Sequence, residues 1–427
     1  MDLDARLATA AASRDALRAA EEAIVAEMCD ETATTPGFAR RELRSACLFA
    51  DALPELAEAI RPARVAARSG RTELRWEPYG VVAGWHAANS PIWVPTLVAL
   101  SGLVAGNSVI GRPSRRARRT TARVMDAIAA AWPRDALQVA DVDPAGGEAL
   151  VCHPGVGAVV AHASTETCRR HLALLAGAYA RGAPLRPYIP EASGNDAAVV
   201  LAGADLPGAA RAIALGGFAN AGQLCMAAKR IVVDRSVWED FRPHLLEAVA
   251  RIDAEPEHHT AIPTGTSAWA PAVAALREAV AAGGRVLHGG DPGDGPLAAT
   301  VIGLDADTAP ALGLWRDEVF APVRAVVLVD GVEEALAVVN SSRYGLGAAL
   351  FGGTDAMRES FTRGVRAARV VVDEGPLYQD PHLVVGGIRD SGIAGARPKL
   401  EQLVWAKRVH WAAGASPGGP VGEAAGA

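Results

Sequence analysis

Val81-Val82-Ala83-Gly84 and Ser108-Val109-Ile110-Gly111 are the two short apolar runs that decide the fold of this chain. Between them lies Val94 to Leu103, an apolar segment with the length of a helix rather than of a strand. A strand, a helix and a strand in this order form a βαβ unit, whose two strands are parallel. The stretch therefore predicts a parallel sheet covered by helices.

The same alternation continues along the chain. The second run leads into helical Thr120 to Trp132, and Gly157-Ala158-Val159-Val160-Ala161 leads into helical Thr165 to Ala180. A second series begins near Ala197, with strand candidates at 198–201, 230–234, 285–287, 325–329 and 370–373 and helix candidates at 206–216 and 237–253. Two such series predict two α/β domains with a cleft between them.

Segments at the two ends of the chain show other patterns. Apolar residues recur at helical spacing from Leu3 to Met28 and from Arg40 to Ile60, which predicts amphipathic helices. Pro62 to Trp76 alternates and predicts an exposed hairpin. Gly414 to Ala427 is rich in glycine, alanine, proline and serine, which is typical of a disordered tail.

Charge and hydropathy exclude several classes of partner. The formal net charge of −6 over 427 residues is modest, so we expect neither nucleic acid nor a membrane as a partner. The chain contains no uncharged apolar run of about 18 residues, so the sequence predicts no transmembrane helix. Met1 to Met28 lacks the apolar core of a signal peptide, so the expected location is the cytoplasm. Only Lys229, Lys399 and Lys407 among the 42 basic residues are lysines, a bias that indicates a GC-rich coding sequence.

The five cysteines are dispersed, odd in number and without a Cys-x-x-Cys pair. This pattern argues against a disulfide framework and a zinc site, and we expect no bound metal. Cys225 follows Gly222-Gln223-Leu224 and precedes what the sequence predicts to be the start of a helix. A thiol in such a position can have a lowered pKa and act as a nucleophile. A buried, inert cysteine is the alternative.

The segment Phe218-Ala219-Asn220-Ala221-Gly222-Gln223-Leu224-Cys225 resembles the nucleophile segment of the aldehyde dehydrogenase superfamily. Other segments resemble further blocks of that family in the family's order, namely Glu77-Pro78-Tyr79-Gly80-Val81-Val82, Asn89-Ser90-Pro91, Leu103-Val104-Ala105-Gly106-Asn107-Ser108-Val109-Ile110, Ser164-Thr165-Glu166, Glu318-Val319-Phe320-Ala321-Pro322-Val323, Tyr344-Gly345-Leu346, Gly386-Gly387 and Ser391-Gly392. The resemblance covers about Glu77 to Trp411, and an ordered set is more specific than any single motif.

The resemblance implies an α/β, aldehyde dehydrogenase-like fold with a Rossmann-type cofactor domain, an α/β catalytic domain and a small β element for oligomerisation. The corresponding divisions are 1–193 for the N-terminal helices and dinucleotide-binding domain (with the hairpin at 62–76), 194–395 for the catalytic domain, 396–412 for an oligomerisation strand and 413–427 for a disordered tail. Exposed strand edges are a liability in a monomer. The hairpin and the strand candidate Leu403-Val404-Trp405 to Trp411 therefore predict a homodimer or homotetramer.

The implied activity is oxidation of an aldehyde to a carboxylic acid with NAD(P)+. Cys225 is the implied nucleophile, which forms a thiohemiacetal and, after hydride transfer, a thioester. Asn89 is implied to stabilise the oxyanion beside the Cys225 backbone N–H. Glu191 stands where the family has the general base that activates water. The alternatives are a turn-forming Asn89 before Pro91 and a solvated loop carboxylate at Glu191.

The implied cofactor is NADP or NAD, and the residues implied to bind it are Arg112, Ser114, Arg115, Ser164, Glu318 and Phe320. Arg112 stands where the family usually has a ribose-contacting lysine, and Arg115 where NAD-dependent members commonly have a glutamate. An arginine pair favours a 2′-phosphate, so we expect NADP to be preferred. The alternative is that Arg115 belongs to the solvated start of a helix.

Several features depart from the family pattern. Ala163 replaces a glycine, Ala88 an aromatic residue, and Ala192-Ser193-Gly194-Asn195 a Leu-Gly-Gly-Lys run. Two other functions remain open: an acylating dehydrogenase that passes the thioester to coenzyme A or a carrier thiol, and a catalytically silent binding protein. Acylating relatives generally lack the general base, so Glu191 argues for hydrolysis. His86 and His162 are expected to be structural histidines with satisfied hydrogen bonds.

Overall fold

Three β-sheets organise the chain in a computed structural model, which describes residues 1–255, 261–393 and 395–414. The strands are β1 (Ala63–Val65), β2 (Arg71–Pro78), β3 (Val81–Trp85), β4 (Ser108–Arg112), β5 (Leu137–Val139), β6 (Ala158–His162), β7 (Tyr188–Glu191), β8 (Asp196–Val200), β9 (Ala228–Asp234), β10 (Arg285–His288), β11 (Thr300–Leu304), β12 (Val323–Val329), β13 (Gly347–Phe351), β14 (Arg369–Val372) and β15 (Val404–Trp411). The helices are α1 (Leu3–Ala19), α2 (Glu21–Thr32), α3 (Pro36–Leu56), α4 (Trp93–Val104), α5 (Arg118–Ala129), α6 (Pro144–Cys152), α7 (Thr165–Ala180), α8 (Leu206–Phe218), α9 (Trp238–Ala254), α10 (Trp269–Ala281), α11 (Gly313–Arg316), α12 (Gly331–Asn340), α13 (Asp355–Gly364) and α14 (Lys399–Gln402).

The first α/β unit is a parallel sheet with the strand order β5-β4-β3-β6-β7. The predicted βαβ unit is β3, α4 and β4, which are adjacent in this sheet. After β5 the chain returns through α6 to β6, on the other side of β3. The direction of the connections thus reverses between β3 and β6. Open α/β sheets bind their ligands beyond the carboxyl ends of the strands at such a switch point.

Helix α4 is apolar on every side because it is covered on every side. Each residue from Val94 to Val104 is buried, between the sheet and the N-terminal helices. The predicted helix from Leu3 to Met28 is divided into α1 and α2, and two glutamates, Glu21 and Glu22, occupy the first turn of α2 as the helix dipole favours. No helix in the described ranges is both long and apolar enough to cross a membrane.

The second α/β unit is a sheet with the order β10-β11-β12-β9-β8-β13-β14, parallel except for β10. Strand β13 escaped the sequence prediction. Its five residues are all buried and include glycine and alanine, and a strand buried on both faces shows no alternation. The α/β fold predicted from the sequence is confirmed, with two sheets in series.

The third sheet is small and antiparallel, with the order β1-β2-β15. The predicted hairpin forms β1 and β2, and β15 pairs with β2 from Val404 opposite Pro78 to Trp411 opposite Arg71. The outer edges of β1 and β15 have no partner within the described chain, so the homodimer or homotetramer stays a prediction. The predicted division at residues 193 and 194 falls between β7 and β8. The predicted disordered tail lies outside the described residues beyond Gly414.

Arg324 of β12 ties the second sheet to the loop that follows α8. Its side chain is fully buried. Its guanidinium donates to the carbonyl of Gly217 in α8 at 2.7 Å, to that of Gly222 in the loop at 3.2 Å, and to those of Ala321 and Val323 at 2.7 Å each. Burial lowers the pKa of Arg324 to about 9, which leaves it charged at neutral pH. Several buried carbonyls thus depend on one side chain.

We expect Arg324→Met to destabilise the protein strongly. The substitution keeps the apolar volume but removes every donor, and unsatisfied buried acceptors cost about 1 to 3 kcal/mol each. Urea unfolding should show a loss on the order of 3 kcal/mol or more. The exposed Arg285 of β10, in the same sheet, provides the control, because Arg285→Met should change stability by less than about 0.5 kcal/mol. Equal unfolding midpoints for the two variants would contradict the anchoring role.

Candidate active site

A cavity of 650 Å³ opens where the switch point of the first sheet meets the second α/β unit. The segments that follow β3 and β6 line it through Asn89 and Ser164, and the loop between α8 and β9 lines it through Cys225. Glu191, the last residue of β7, also reaches the wall. The three predicted catalytic residues, Cys225, Glu191 and Asn89, therefore share one cavity.

The loop that carries Cys225 has an unusual backbone. Asn220, Ala221 and Gly222 have φ angles of 52°, 54° and 68°, so three consecutive residues adopt the left-handed conformation. A β carbon on Gly222 would lie 2.0 Å from Nη2 of Arg324, so glycine is required there. Left-handed residues other than glycine store strain, which persists only where the surroundings impose it.

Lys229 supplies a second anchor for this loop. Its buried ammonium donates to the carbonyl oxygens of Leu224 and Cys225, both at 2.8 Å. It lies 3.3 Å from the carboxylate of Glu318, which opposes the lowering of the Lys229 pKa by burial. The carbonyls on either side of the nucleophile are thus held by a cation with its own counter-ion.

The Cys225 thiol is protonated at neutral pH. Burial raises its pKa to about 12, although the nearby ammonium of Lys229 opposes the rise. The carboxylates of Glu318, Asp196 and Glu191 add to it. The expectation of a lowered thiol pKa is therefore wrong, because burial raises the pKa. The helix expected after Cys225 is also absent, since β9 follows instead. Attack by Cys225 requires a proton acceptor.

Two donors on the cavity wall have no acceptor among the described residues. The side-chain amide of Asn89 and the backbone N–H of Cys225 make no hydrogen bond to the described residues, and both residues line the cavity. Donors that face a cavity without a protein acceptor are available to an oxygen that gains negative charge. The arrangement can therefore accommodate a tetrahedral oxyanion.

Glu191 is a buried carboxylate, not a solvated loop residue. Oε1 accepts a hydrogen bond from Nζ of Lys399, whose side chain is completely buried, and Oε2 is buried with no partner among the described residues. Burial raises the pKa of Glu191, and Lys399 opposes that rise. One oxygen is held in place while the other remains free to accept a proton.

The predicted cofactor residues fall into two groups. Ser164, Glu318 and Phe320 line the cavity. Ser164 caps α7 by accepting the N–H of Thr167 at 3.2 Å. Glu318 accepts the N–H of Gly194 at 3.1 Å.

The other three are not part of the cavity wall: Arg112 ends β4, and Ser114 and Arg115 follow that strand at the same edge of the sheet. The guanidinium of Arg112 is buried 4.2 Å over the ring of Trp85.

Comparison with known proteins agrees with this geometry. The sequence profile of the aldehyde dehydrogenase family matches residues 1–405. The chain belongs to the aldehyde dehydrogenase family. It is 30% identical over 322 residues to a benzaldehyde dehydrogenase (NAD(+)) of Pseudomonas putida, an alignment covering 74% of this chain and 64% of that protein. It is 27% identical over 332 residues to a succinate-semialdehyde dehydrogenase (NADP(+)) of Mycobacterium avium strain 104, covering 76% and 68%.

A solved structure shows the same fold. The NAD-dependent aldehyde dehydrogenase from Sinorhizobium meliloti superposes with a TM-score of 0.87 at 23% identity, over 98% of this chain and 84% of that one. The family predicted from the sequence is confirmed by the profile match over residues 1–405. The predicted class, an NAD(P)-dependent aldehyde dehydrogenase, and the predicted cofactor, NADP or NAD, are confirmed at the level of the family, whose named members include both kinds.

The cavity of this aldehyde dehydrogenase fits a dinucleotide. Helix α7 has 16 residues and begins at the cavity wall with Ser164 as its cap, and the free N–H groups of a helix start favour phosphate. Glu318 offers carboxylate oxygens of the kind that accept hydrogen bonds from ribose hydroxyls. The switch point between β3 and β6 is where such a ligand is expected.

The sequence analysis missed the structural roles of several buried cations of the aldehyde dehydrogenase, of which Lys229, Arg324 and Lys399 support the cavity and its loop. A signal for two of them was present, because they are two of only three lysines in the chain. Where arginine replaces lysine nearly everywhere, a retained lysine marks a place for a compact ammonium that the planar guanidinium cannot fill.

Of the two histidines beside the motif strands, His86 is buried and His162 is half-buried on the cavity wall, and both are neutral. Burial lowers the pKa of His86 to about 3, and it also lowers that of His162, to which Lys399 and His86 contribute. Neither ring nitrogen of His86 nor Nδ1 of His162 has a hydrogen-bond partner among the described residues. The expectation of satisfied hydrogen bonds is therefore wrong for both.

The raised pKa of Cys225 predicts how its reactivity depends on pH. Below a pKa of about 12, the thiolate fraction rises roughly tenfold per pH unit. Alkylation of Cys225 by iodoacetamide in the cofactor-free enzyme, followed by mass spectrometry of its peptide, should therefore accelerate without a plateau from pH 7 to pH 10. Glutathione, an ordinary thiol, is the control and should level off near pH 9. A plateau for Cys225 below pH 9 would contradict the buried-thiol geometry.

Proposed function

We propose that the enzyme oxidises an aldehyde to a carboxylic acid by covalent catalysis at Cys225. The observation that carries the proposal is the presence of the Cys225 thiol, the buried carboxylate of Glu191 and the unpaired amide of Asn89 in one cavity. A nucleophile, a base and an oxyanion donor are the three groups that acyl transfer to water requires.

In the first half of the reaction, the Cys225 thiol transfers its proton to solvent water, and Sγ bonds to the aldehyde carbon. The carbonyl oxygen becomes an oxyanion, which accepts hydrogen bonds from the Asn89 amide and the Cys225 N–H. Lys229 holds the Cys225 carbonyl and so keeps the N–H of this loop oriented. When bound, the nicotinamide accepts the hydride that leaves the thiohemiacetal carbon, and a thioester on Cys225 remains.

In the second half, Glu191 takes a proton from water as the water oxygen attacks the thioester carbon. The carbon–sulfur bond breaks, the acid leaves and the Cys225 sulfur is protonated again. Lys399 keeps one oxygen of Glu191 fixed, so the free Oε2 is the proton acceptor. Release to water is favoured over release to a thiol because this base is present.

Glu191→Gln should separate the two halves of the reaction. The amide retains the shape of the side chain but cannot accept a proton, so thioester formation continues while hydrolysis stalls. Rapid mixing with NADP and an aldehyde should give one burst of reduced cofactor per active site, and subsequent turnover should be slower by roughly a hundredfold or more.

Cys225→Ala is the matched variant for this experiment. It should abolish both the burst and the turnover while leaving dinucleotide binding near the wild-type value, whereas Cys152→Ser, outside the cavity wall, should behave as wild type. Unchanged steady-state rates in Glu191→Gln would remove Glu191 from the mechanism. Turnover retained by Cys225→Ala would overturn the proposal.

We also propose that NADP is preferred over NAD. Arg115 is exposed and lies close enough to Arg112 for its charge to lower the pKa of that buried guanidinium. Farther along the same segment, Arg118 pairs with Asp141 at 3.4 Å and Arg119 with Asp30. Arg115 makes no ion pair among the described residues, which supports a phosphate site over a solvated helix face.

Arg115→Glu should weaken NADP binding by about 2 kcal/mol, the scale of one charge-assisted contact, with little change for NAD. Arg118→Glu makes the same charge change on the neighbouring turn and should not discriminate between the two cofactors. Fluorescence titration of both cofactors into the three proteins measures this. Wild-type affinity for NAD equal to or above that for NADP would contradict the preference.

The substrate is proposed to be a small organic aldehyde. The two relatives are named for an uncharged aromatic aldehyde and for an aliphatic aldehyde with a carboxylate. These names define the two substrate classes to be compared.

A further inference from the structure

One part of the cavity wall is not used by the proposed reaction. Helix α3 contributes Phe38 and Arg41 to this part. Phe38 packs into the apolar cluster that contains Leu377 and Cys225. Arg41, one turn further along α3, donates from Nη2 to the carbonyl of Leu377 at 3.2 Å. These contacts place Arg41 on the part of the cavity wall that also carries Cys225.

The guanidinium of Arg41 has no counter-ion. It forms no ion pair with any carboxylate of the described residues, whereas its neighbour Arg40 pairs with Glu22 at 3.0 Å and with Glu21 at 3.5 Å. Burial lowers the pKa of Arg41, and the charge of Arg44 adds to the effect. A half-buried cation without an anionic partner offers a site for an anion.

The surroundings of Arg41 indicate the shape of the ligand. The cavity that Arg41 lines also has many apolar lining residues, among them Trp93, Val94, Leu97, Met226, Leu346 and Val385. The polar groups on this wall next to Arg41 include Ser45, which is hydrogen-bonded to the exposed Gln379. An apolar body with a charged group at the solvent end would match both features.

The Glu42 carboxyl on the same wall repels a bound anion only weakly. Glu42, next to Arg41, also lines the cavity, and burial raises its pKa to about 7. The nearby hydroxyl of Ser90 and the N–H groups of Ile92 and Trp93 oppose this rise. A substantial part of Glu42 is therefore neutral at neutral pH, which weakens its repulsion of an anion.

We propose that Arg41 binds a carboxylate of the substrate, so that the enzyme favours aldehydes with an apolar body and an anionic group at the end away from the carbonyl. This inference rests on the proposed function, because it assigns the aldehyde carbon to Cys225. It makes Arg41 a residue of substrate specificity that does not touch the reacting atoms.

The test compares 4-carboxybenzaldehyde with 4-methylbenzaldehyde, which have the same shape and differ in charge. The wild-type ratio of their kcat/KM values should favour the carboxylate. In Arg41→Gln the ratio should fall roughly tenfold to a hundredfold, the range for a hydrogen-bonded charge, and Arg41→Lys should recover part of it. Arg44→Gln removes the same charge from an exposed position on α3 outside the cavity wall, and should leave the ratio within about twofold.

The outcomes separate this inference from the proposed function. The inference alone is overturned if the wild-type enzyme oxidises 4-methylbenzaldehyde without favouring 4-carboxybenzaldehyde. It is also overturned if Arg41→Gln has the same ratio of kcat/KM values as wild type. If the wild-type enzyme turns over neither aldehyde, that result counts against the proposed function. The inference is then decided by how well carboxylate ligands protect Cys225 from alkylation. The inference is supported if terephthalate protects Cys225 better than 4-methylbenzoate does and this advantage is lost in Arg41→Gln. Equal protection by the two acids overturns the inference.

Discussion

The active site depends on two buried cations that satisfy the backbone carbonyls of the loop around Cys225. Lys229 and Arg324 donate to carbonyls on both sides of the nucleophile, where three consecutive left-handed residues precede Gln223. Buried carbonyls without donors would make this strained loop unfavourable. A buried charge is itself costly unless it is paired, and Glu318 beside Lys229 offsets part of that cost. The loop, the two cations and Glu318 therefore form one structural unit.

The surroundings of Cys225 keep its thiol protonated in the free protein. Burial and the surrounding carboxylates leave the Cys225 thiol protonated, and Lys399 holds the proposed base Glu191 in an ion pair. Under the proposed mechanism, Cys225, Glu191 and Asn89 already share one cavity before substrate arrives, while the thiolate required for attack is not yet formed. The free protein therefore combines a preorganised site with a nucleophile of low reactivity.

The fold was predicted from the sequence wherever local pattern decides structure. The β3, α4 and β4 unit follows from its apolar runs, and the hairpin from its alternation. Strand β13 was missed because burial on both faces removes the pattern. The three proposed catalytic residues came from family motifs, whereas the pairing of Lys399 with Glu191 and the unpaired state of Arg41 among the described residues could not be predicted. Lys399 meets Glu191 across 208 residues of chain, and the missing counter-ion of Arg41 is a property of the folded protein alone.

The scarcity of lysine has a consequence for an enzyme that handles aldehydes. Aldehydes condense with unprotonated primary amines to form Schiff bases, whereas guanidinium groups remain protonated and do not react in this way. Two of the three lysines are enclosed, with side-chain exposures of 1% for Lys229 and 0% for Lys399, and only Lys407 is accessible, at 43%. The surface therefore carries its positive charge almost wholly on arginine, and offers its own substrates few side-chain amines with which to form adducts.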